Sequence, residues 1–295
     1  MKALGLCLLA LMLTACESRE RFEPVVVYAS AENDAELAAW FEGFRQETGI
    51  PVTIRLGSSE ANTQAIVNKT GAPPADVIIT SNVADIWRAA DDGALRPLEV
   101  ASLAAVPDTL KDPDGMWVAL SFDERVLTYR ADAFGTPPKS YAGLGDRSMS
   151  ERLCLSSSEL PANRALVAMI FNDFGRRPAE SMVRAWVRNL SLPPFASEQK
   201  LLAAIEAGTC KYGLVSRSAI TESLAIASFD KTYFDIEGVG VARHSRYPES
   251  AHKLVDWMLQ QRLPQLRQAS AETNIGVAGW LDEDARLLSE RAAYR

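Results

Sequence analysis

Histidine is scarce in this chain, and the motifs of common catalytic sites are absent from it. The 295 residues include two histidines, His244 and His252, both towards the C-terminus. Ser-His-Asp and Cys-His arrangements and histidine-rich zinc sites therefore lack the residues that they need. C-x-x-C, G-x-S-x-G and G-x-x-x-x-G-K-[ST] do not occur either. Since no acid–base pair stands out, the sequence predicts a binding protein rather than an enzyme.

Basic tracts and low-complexity runs are also missing. The formal net charge is −7, with 31 basic and 38 acidic side chains spread along the chain. Nucleic-acid binding relies on clustered positive charge, so nucleic acid is not an expected partner. With 47% hydrophobic residues, a chain of this length can bury one large core or two medium ones.

The N-terminus has the features of a secretion signal. Lys2 precedes an apolar run over residues 3–13, which is too short to span a bilayer as a permanent helix. The tetrapeptide Leu-Thr-Ala-Cys ending at Cys16 is typical of a bacterial lipobox, in which the cysteine is acylated. We therefore predict a signal peptide over residues 1–15 and a periplasmic protein anchored to a bacterial membrane through Cys16. An ordinary secretory signal cleaved nearby is the alternative.

Two cysteines, Cys154 and Cys210, remain for the folded protein once the signal is removed and Cys16 is lipidated. In an oxidising envelope compartment such a pair favours a disulfide. Two buried free thiols are the alternative.

The order of apolar runs and helical patterns predicts an α/β fold. Strand and helix alternate up to about residue 91, which indicates a mostly parallel sheet covered by helices. Two closely spaced strands, over residues 111–122 and 125–130, suggest that the chain then leaves one sheet for another. We predict a bilobal architecture in which two strands cross between two mixed-sheet lobes. The expected divisions are a tether over 16–23, a first lobe over 24–122 and 236–295, and a second lobe over 123–235.

Several stretches resemble the periplasmic ferric-ion-binding proteins of ABC importers, which have the type II solute-binding fold. The matching stretches, in the same order over nearly the whole mature chain, are 74–80 (PADVIIT), 86–89 (IWRA), 110–118 (LKDPDGMWV), 154–155 (CL), Asn163, 166–168 (LVA), 186–190 (WVRNL), 207–210 (AGTC), 238–244 (GVGVARH) and 253–255 (KLV). The resemblance implies two lobes that close on a ligand and deliver it to a membrane permease. It also implies a Cys154–Cys210 disulfide.

The iron ligands of that family do not carry over to this sequence. Relatives place His, often with Tyr, where this chain has Glu32 and Asn33, and they often have Tyr at the position of Ala162. Two adjacent tyrosines of the family correspond to Ser218 and Ala219, and none of the seven tyrosines here adjoins another. Ferric iron prefers anionic oxygen ligands. The sequence thus predicts no cofactor, and Fe(III) is implied by the resemblance alone.

Polar residues at predicted strand ends and helix starts are the candidate ligand-binding residues instead. They are Glu32, Asn33, Asn82, Ser156, Ser157, Ser158, Asn163, Ser216, Arg217 and Ser218. Hydroxyls, an arginine and helix N–H groups suit a small polar or anionic ligand. Serine and asparagine are also common as helix caps, which is the simpler interpretation of each position.

Two other interpretations of the cleft remain open. The carboxylates of Glu32, Asp34, Asp123, Glu124 and Glu159 could form a cage for a metal cation. Alternatively, the lipoprotein has lost transport and serves as an assembly partner or sensor input. For the transport function the expected partners are an importer permease, a small-molecule ligand and a lipid anchor, and we expect a monomer.

Overall fold

The computed structural model describes residues 22–30, 34–132, 135–227, 229–272 and 278–293, which form nine β-strands and eight α-helices. In chain order the elements are β1 (Val25–Ser30), α1 (Asp34–Thr48), β2 (Val52–Gly57), α2 (Ser59–Val67), β3 (Val77–Thr80), α3 (Val83–Asp91), β4 (Leu95–Arg96), β5 (Trp117–Arg130), β6 (Leu153–Cys154), α4 (Pro161–Phe174), α5 (Arg176–Arg188), α6 (Glu198–Glu206), β7 (Tyr212–Ser216), β8 (Leu224–Ala227), β9 (Phe234–Ala242), α7 (Pro248–Glu272) and α8 (Asp282–Ala293). The signal segment and Cys16 lie outside the described residues.

The strands form one connected arrangement in the order β2-β1-β3-β9-β5-β7-β6, with β4 on β9 and β8 on β5. β1 is parallel to β2 and β3, whereas β9 is antiparallel to β3 and β5. All six residues of β1 are buried, because alternate side chains enter different clusters. Val25 and Val27 pack in the core that includes α1, and Val26 packs with Ala65 and Ile66 of α2. A strand covered on both faces reads as a continuous apolar run.

The crossing between the two halves is made by β5 and β9. The first half of β5 pairs with β9, from Trp117↔Gly240 to Glu124↔Phe234, and a bulge follows Ala119. The second half, from Arg125 onwards, pairs with β7 and β8. The prediction of two separate strands over 111–122 and 125–130 is therefore wrong. Residues 121–124 are polar or partly exposed, which interrupts the apolar pattern, but their backbone continues the pairing with β9.

Two cores lie on either side of this crossing. The first lobe contains β1–β4, α1–α3 and α7 around one large cluster of buried side chains. The second lobe contains β6–β8 and α4–α6, and a separate cluster that includes Tyr141, Trp186 and Tyr212 lies under α4 and α5. The bilobal α/β fold predicted from the sequence is confirmed. Within the described residues, none of the helices combines the length and apolarity needed to cross a bilayer.

The C-terminal helix differs from the predicted domain division. Residues 236–295 were expected to belong to the first lobe, and α7 does pack there against β5 and β9. Helix α8, however, packs against α4 and α5, and its Ala285 and Leu288 join the core of the second lobe. Its amphipathic pattern fits either lobe equally well, so the sequence alone does not assign it. The other boundaries of the tether and the two lobes stay predictions.

A disulfide joins Cys154 to Cys210, as predicted. Cys154 ends β6, and Cys210 precedes β7, which is the parallel neighbour of β6. Both cysteines are buried in a small cluster beneath α6, with Leu201 and Ile205. The bridge therefore fastens the turn that follows α6 to the sheet of the second lobe.

Candidate binding cleft

A cavity of about 650 Å³ opens between the lobes, and the crossing strands form its floor. Residues 121–123 of β5 and 235–237 of β9 line this floor. The first lobe contributes Ser81, after β3, and Arg262 of α7, which also stacks over the ring of Trp40 at 4.0 Å. The middle of both strands is thus polar because it faces the cavity instead of a core.

The second lobe contributes two helix starts and one strand end. Residues 160–162 begin α4, and residues 197–199 begin α6, where Ser197 accepts a hydrogen bond from the backbone N–H of Lys200. Ser216 ends β7, and Ser218 and Ala219 follow it. First-turn N–H groups and hydroxyls therefore meet along this wall, which gives it hydrogen-bond donors for a polar ligand.

A buried arginine organises the wall from behind. The side chain of Arg125 has no exposed surface and forms an ion pair with Glu198. Its guanidinium also donates to Ser216 Oγ at 2.7 Å and to Asn163 Oδ1 at 2.6 Å. Asn163 in turn donates to Ser156 Oγ at 2.9 Å. This network fixes the orientation of Glu198 and Ser216, which line the cavity.

Asp235 is the most buried acidic residue of the floor. It is 8% exposed, and its Oδ1 accepts hydrogen bonds from the backbone N–H of Ile236 at 2.9 Å and of Val83 at 3.5 Å. Burial raises the pKa of Asp235 to about 7, although these two N–H groups and the charge of Arg125 act in the opposite direction. Asp123, which is its register partner on β5, raises the pKa further.

The predicted ligand-binding residues divide into three groups. Ser216 and Ser218 line the cavity. Asn163 and Ser156 belong to the network behind the wall, and Ser156 is 4% exposed. Asn82 is also buried, and as the N-cap of α3 it accepts from the backbone N–H of Asp85.

The remaining predicted positions are absent from the cavity lining or lie outside the described residues. Arg217 forms an ion pair with Glu124 and is half exposed. Ser157 accepts from the backbone N–H of Glu159 at 3.1 Å, and Ser158 is partly buried. Glu32 and Asn33 lie outside the described residues.

Residues of the predicted carboxylate cage do not come together in the described part of the chain. Asp123 lines the cavity and accepts a hydrogen bond from the Ser218 hydroxyl, whereas Glu124 pairs with Arg217 and Glu159 is exposed. Glu32 and the side chain of Asp34 lie outside the description. Among the described residues, no group of three or more His, Cys, Asp or Glu side chains is placed to hold a metal ion.

The sequence analysis missed five residues of the site: Arg125, Glu198, Asp235, Glu237 and Arg262. The signal for two of them was present in β9, where acids interrupt the apolar run FDIEGVGVA at Asp235 and Glu237. Glu198 and Arg262 lie on amphipathic helices, where a charged residue is ordinary, so no local signal distinguishes them.

The described tyrosines lie away from the cavity lining. The hydroxyl of Tyr28 donates to the carbonyl of Pro73 at 2.7 Å, and that of Tyr141 donates to the carbonyl of Arg125 at 2.6 Å. Tyr233 donates to Asp173. Burial raises the pKa of both Tyr141 and Tyr233, so neither phenol is inclined to ionise. Ala162, Ser218 and Ala219, which the sequence analysis places at the family's tyrosine positions, line the cavity.

Comparison with known proteins agrees with this architecture. Residues 39–175 match the family model of bacterial extracellular solute-binding proteins. Iron uptake protein A1 of Synechocystis sp. is 26% identical over 238 residues, which cover 74% of this chain and 66% of that protein. The Fe(3+)-binding periplasmic protein of Serratia marcescens is 22% identical over 250 residues, which cover 79% and 73%. A Trichodesmium protein (IdiA, FutA), solved with iron and citrate, is 22% identical, with a TM-score of 0.81 over 92% of this chain and 100% of that one.

The two lobes, the crossing strands and the cavity between them have the fold of type II periplasmic binding proteins. Over residues 39–175 the chain matches bacterial extracellular solute-binding proteins, and over most of its length it is similar to proteins named for iron uptake and for periplasmic Fe(3+) binding.

Proposed function

We propose that the protein captures a solute for an ABC importer and delivers it to a membrane permease, while the lipidated Cys16 anchors it to a bacterial membrane. The cavity between two lobes joined by β5 and β9 supports this function, because a hinge of two strands lets the lobes close on a ligand. Its relatives carry names of iron uptake and Fe(3+) binding. Their transport role supports the same role here.

The solute is a small polar molecule rather than ferric iron held by tyrosines. The observation that carries this proposal is the chemistry of the positions corresponding to the family's tyrosines. Ala162, Ser218 and Ala219 line the cavity, yet none can supply a phenolate, and the lining within the described residues contains no tyrosine or histidine. Without such anionic ligands, a hard trivalent cation loses most of its charge compensation.

The charges of the cleft favour a polar ligand over an anionic one. Arg217, which was expected to contact an anion, is occupied by Glu124. The floor and walls instead present hydroxyls from Ser121, Ser216 and Ser218. A carboxylate-held metal ion and a role as an assembly partner or sensor remain as competing outcomes of the test.

The test is to purify the full-length protein gently from its own host and to combine native mass spectrometry with elemental analysis. We expect a bound small organic molecule and little iron. Ala162→Trp, which fills the cavity, should remove that molecule, whereas the control Ala203→Trp, on the exposed face of α6, should retain it.

Three results would contradict parts of the proposal. One iron per chain would overturn the altered cleft, and another stoichiometric metal would favour a carboxylate site. A protein that carries no solute, and whose melting temperature does not rise with any fraction of a host extract, would overturn solute capture and favour the partner or sensor role. A ligand at about 100 times its Kd should stabilise the fold by about 2.7 kcal/mol, which is easily measured.

A further inference from the structure

The cavity lining is acidic. Four carboxylates face it, from Asp123, Glu198, Asp235 and Glu237, against the guanidinium of Arg262. Arg125 adds a second positive charge from behind the wall, where it has no exposed surface. The excess of negative charge lies at the crossing strands, which is the part of the cleft that both lobes enclose.

The four carboxylates differ in what already satisfies them. Glu198 is paired with Arg125 and also accepts from the backbone N–H of Ser216 at 3.1 Å. Asp123 accepts from both the backbone N–H and the hydroxyl of Ser218. Glu237 accepts from the hydroxyl of Ser121 at 2.9 Å. Each of these acids therefore already has a polar partner within the protein.

Asp235 is different, because its hydrogen bonds reach only one of its two oxygens. Oδ1 accepts from two backbone N–H groups, whereas Oδ2 has no hydrogen-bond donor within the described part of the chain. The residue is 92% buried and lines the cavity. Burial disfavours the charged form of this carboxylate, and a cationic donor brought by a ligand to the cavity would offset that penalty.

We propose that the solute carries an ammonium group that binds Oδ2 of Asp235, with its hydroxyls or other polar groups directed to Ser216 and Ser218. This inference rests on the proposed solute-binding function and names the class of solute. An N⁺–H···O⁻ hydrogen bond in a partly enclosed site is among the stronger polar contacts available. The cation is organic rather than a bare metal ion, since the described carboxylates are not grouped closely enough to hold one.

Proton linkage gives the inference a second observable. Burial raises the pKa of Asp235 to about 7, and the charged groups that face it are Asp123, which raises the pKa, and Arg125, which lowers it. A bound ammonium favours the ionised form, so binding releases a proton from Asp235 below pH about 7. The affinity for an amine should therefore rise by about tenfold between pH about 6 and about 8 and then level off.

The test measures binding to the full-length protein in detergent by isothermal titration calorimetry. The probes are ethanolamine, glucosamine and putrescine, each compared with an uncharged counterpart: N-acetylethanolamine, N-acetylglucosamine and 1,4-butanediol. We expect at least one amine to bind with a Kd below about 100 μM, and its counterpart to bind at least about tenfold more weakly.

The nearly isosteric Asp235→Asn should weaken amine binding by about tenfold or more and abolish its pH dependence, whereas the exposed control Asp230→Asn should change neither. The comparison of charged and uncharged probes on the unaltered protein stands even if Asp235→Asn does not fold.

Three results would overturn the inference: no amine binds with a Kd below about 1 mM, the uncharged counterparts bind equally well, or a folded Asp235→Asn binds as tightly as the unaltered protein. A neutral or anionic host solute that Ala162→Trp removes would also overturn it, but would leave the proposed solute capture intact. An empty cleft with every probe and extract would overturn both.

Discussion

Removal of the Arg125 guanidinium should destabilise the second lobe by about 3–5 kcal/mol. The side chain is fully buried and holds Glu198, whose own side chain is 14% exposed. Arg125→Met would fill most of the volume but leave the Glu198 carboxylate buried without its counter-ion. It would also remove the N–H groups that donate hydrogen bonds to Ser216 Oγ and Asn163 Oδ1. The magnitude comes mainly from the uncompensated charge, because each lost neutral hydrogen bond contributes only about 1 kcal/mol.

Urea unfolding followed by tryptophan fluorescence would measure this loss, since Trp186 is buried in the same lobe. The double variant Arg125→Met/Glu198→Gln separates the two contributions. It should recover about 2 kcal/mol relative to Arg125→Met, because the amide has no charge that would be left without a counter-ion. Arg130→Met serves as the control, since Arg130 pairs with Asp132 at the surface and should shift the midpoint little. Equal losses in the single and double variants would refute the reasoning.

Two further changes test contacts that fasten the second lobe. Asp282 accepts a hydrogen bond from Arg164 Nε at 2.9 Å and lies 3.7 Å from Arg88 of the first lobe. Asp282→Asn should therefore lower the free energy of unfolding by about 1–2 kcal/mol and the melting temperature by a few degrees. An unchanged melting temperature in low salt would show that these ion pairs contribute nothing. The Cys154–Cys210 bridge closes a loop of 56 residues, so Cys154→Ser/Cys210→Ser should lose about 4 kcal/mol in chemical denaturation, and identical unfolding curves with and without the bridge would contradict this estimate.

The fold was largely predictable because its signals are local. Val25–Ala29 and Val77–Ile79 form continuous apolar runs, as expected of strands covered on both faces. Helix α3 begins where Asn82 offers an N-cap, and the signature is plain in the sequence. The disulfide followed from the number of cysteines in an oxidising compartment, and the structure confirms it.

The errors arose where structure depends on pairing between distant segments. β5 reads as two strands because residues 121–124 are polar, and only its register with β9 shows that the strand continues. Helix α8 was assigned to the wrong lobe because an amphipathic pattern states that one face is buried but not which core buries it.

The sign of the charge in the cleft is the property of the site that is hardest to predict from the sequence. Arg217 follows β7 directly and was expected to attract an anion, but it lies within reach of Glu124, 93 residues earlier, and forms an ion pair with it. Asp235, in contrast, is part of a mostly apolar strand and acquires its importance from burial and from Asp123 across the register. A charged residue in a loop finds a counter-ion easily, whereas one on a buried strand cannot move to find one. The ligand is therefore better inferred from acids fixed on the crossing strands than from exposed cations at the rim, and this is why Asp235, rather than Arg217, indicates what the cleft binds.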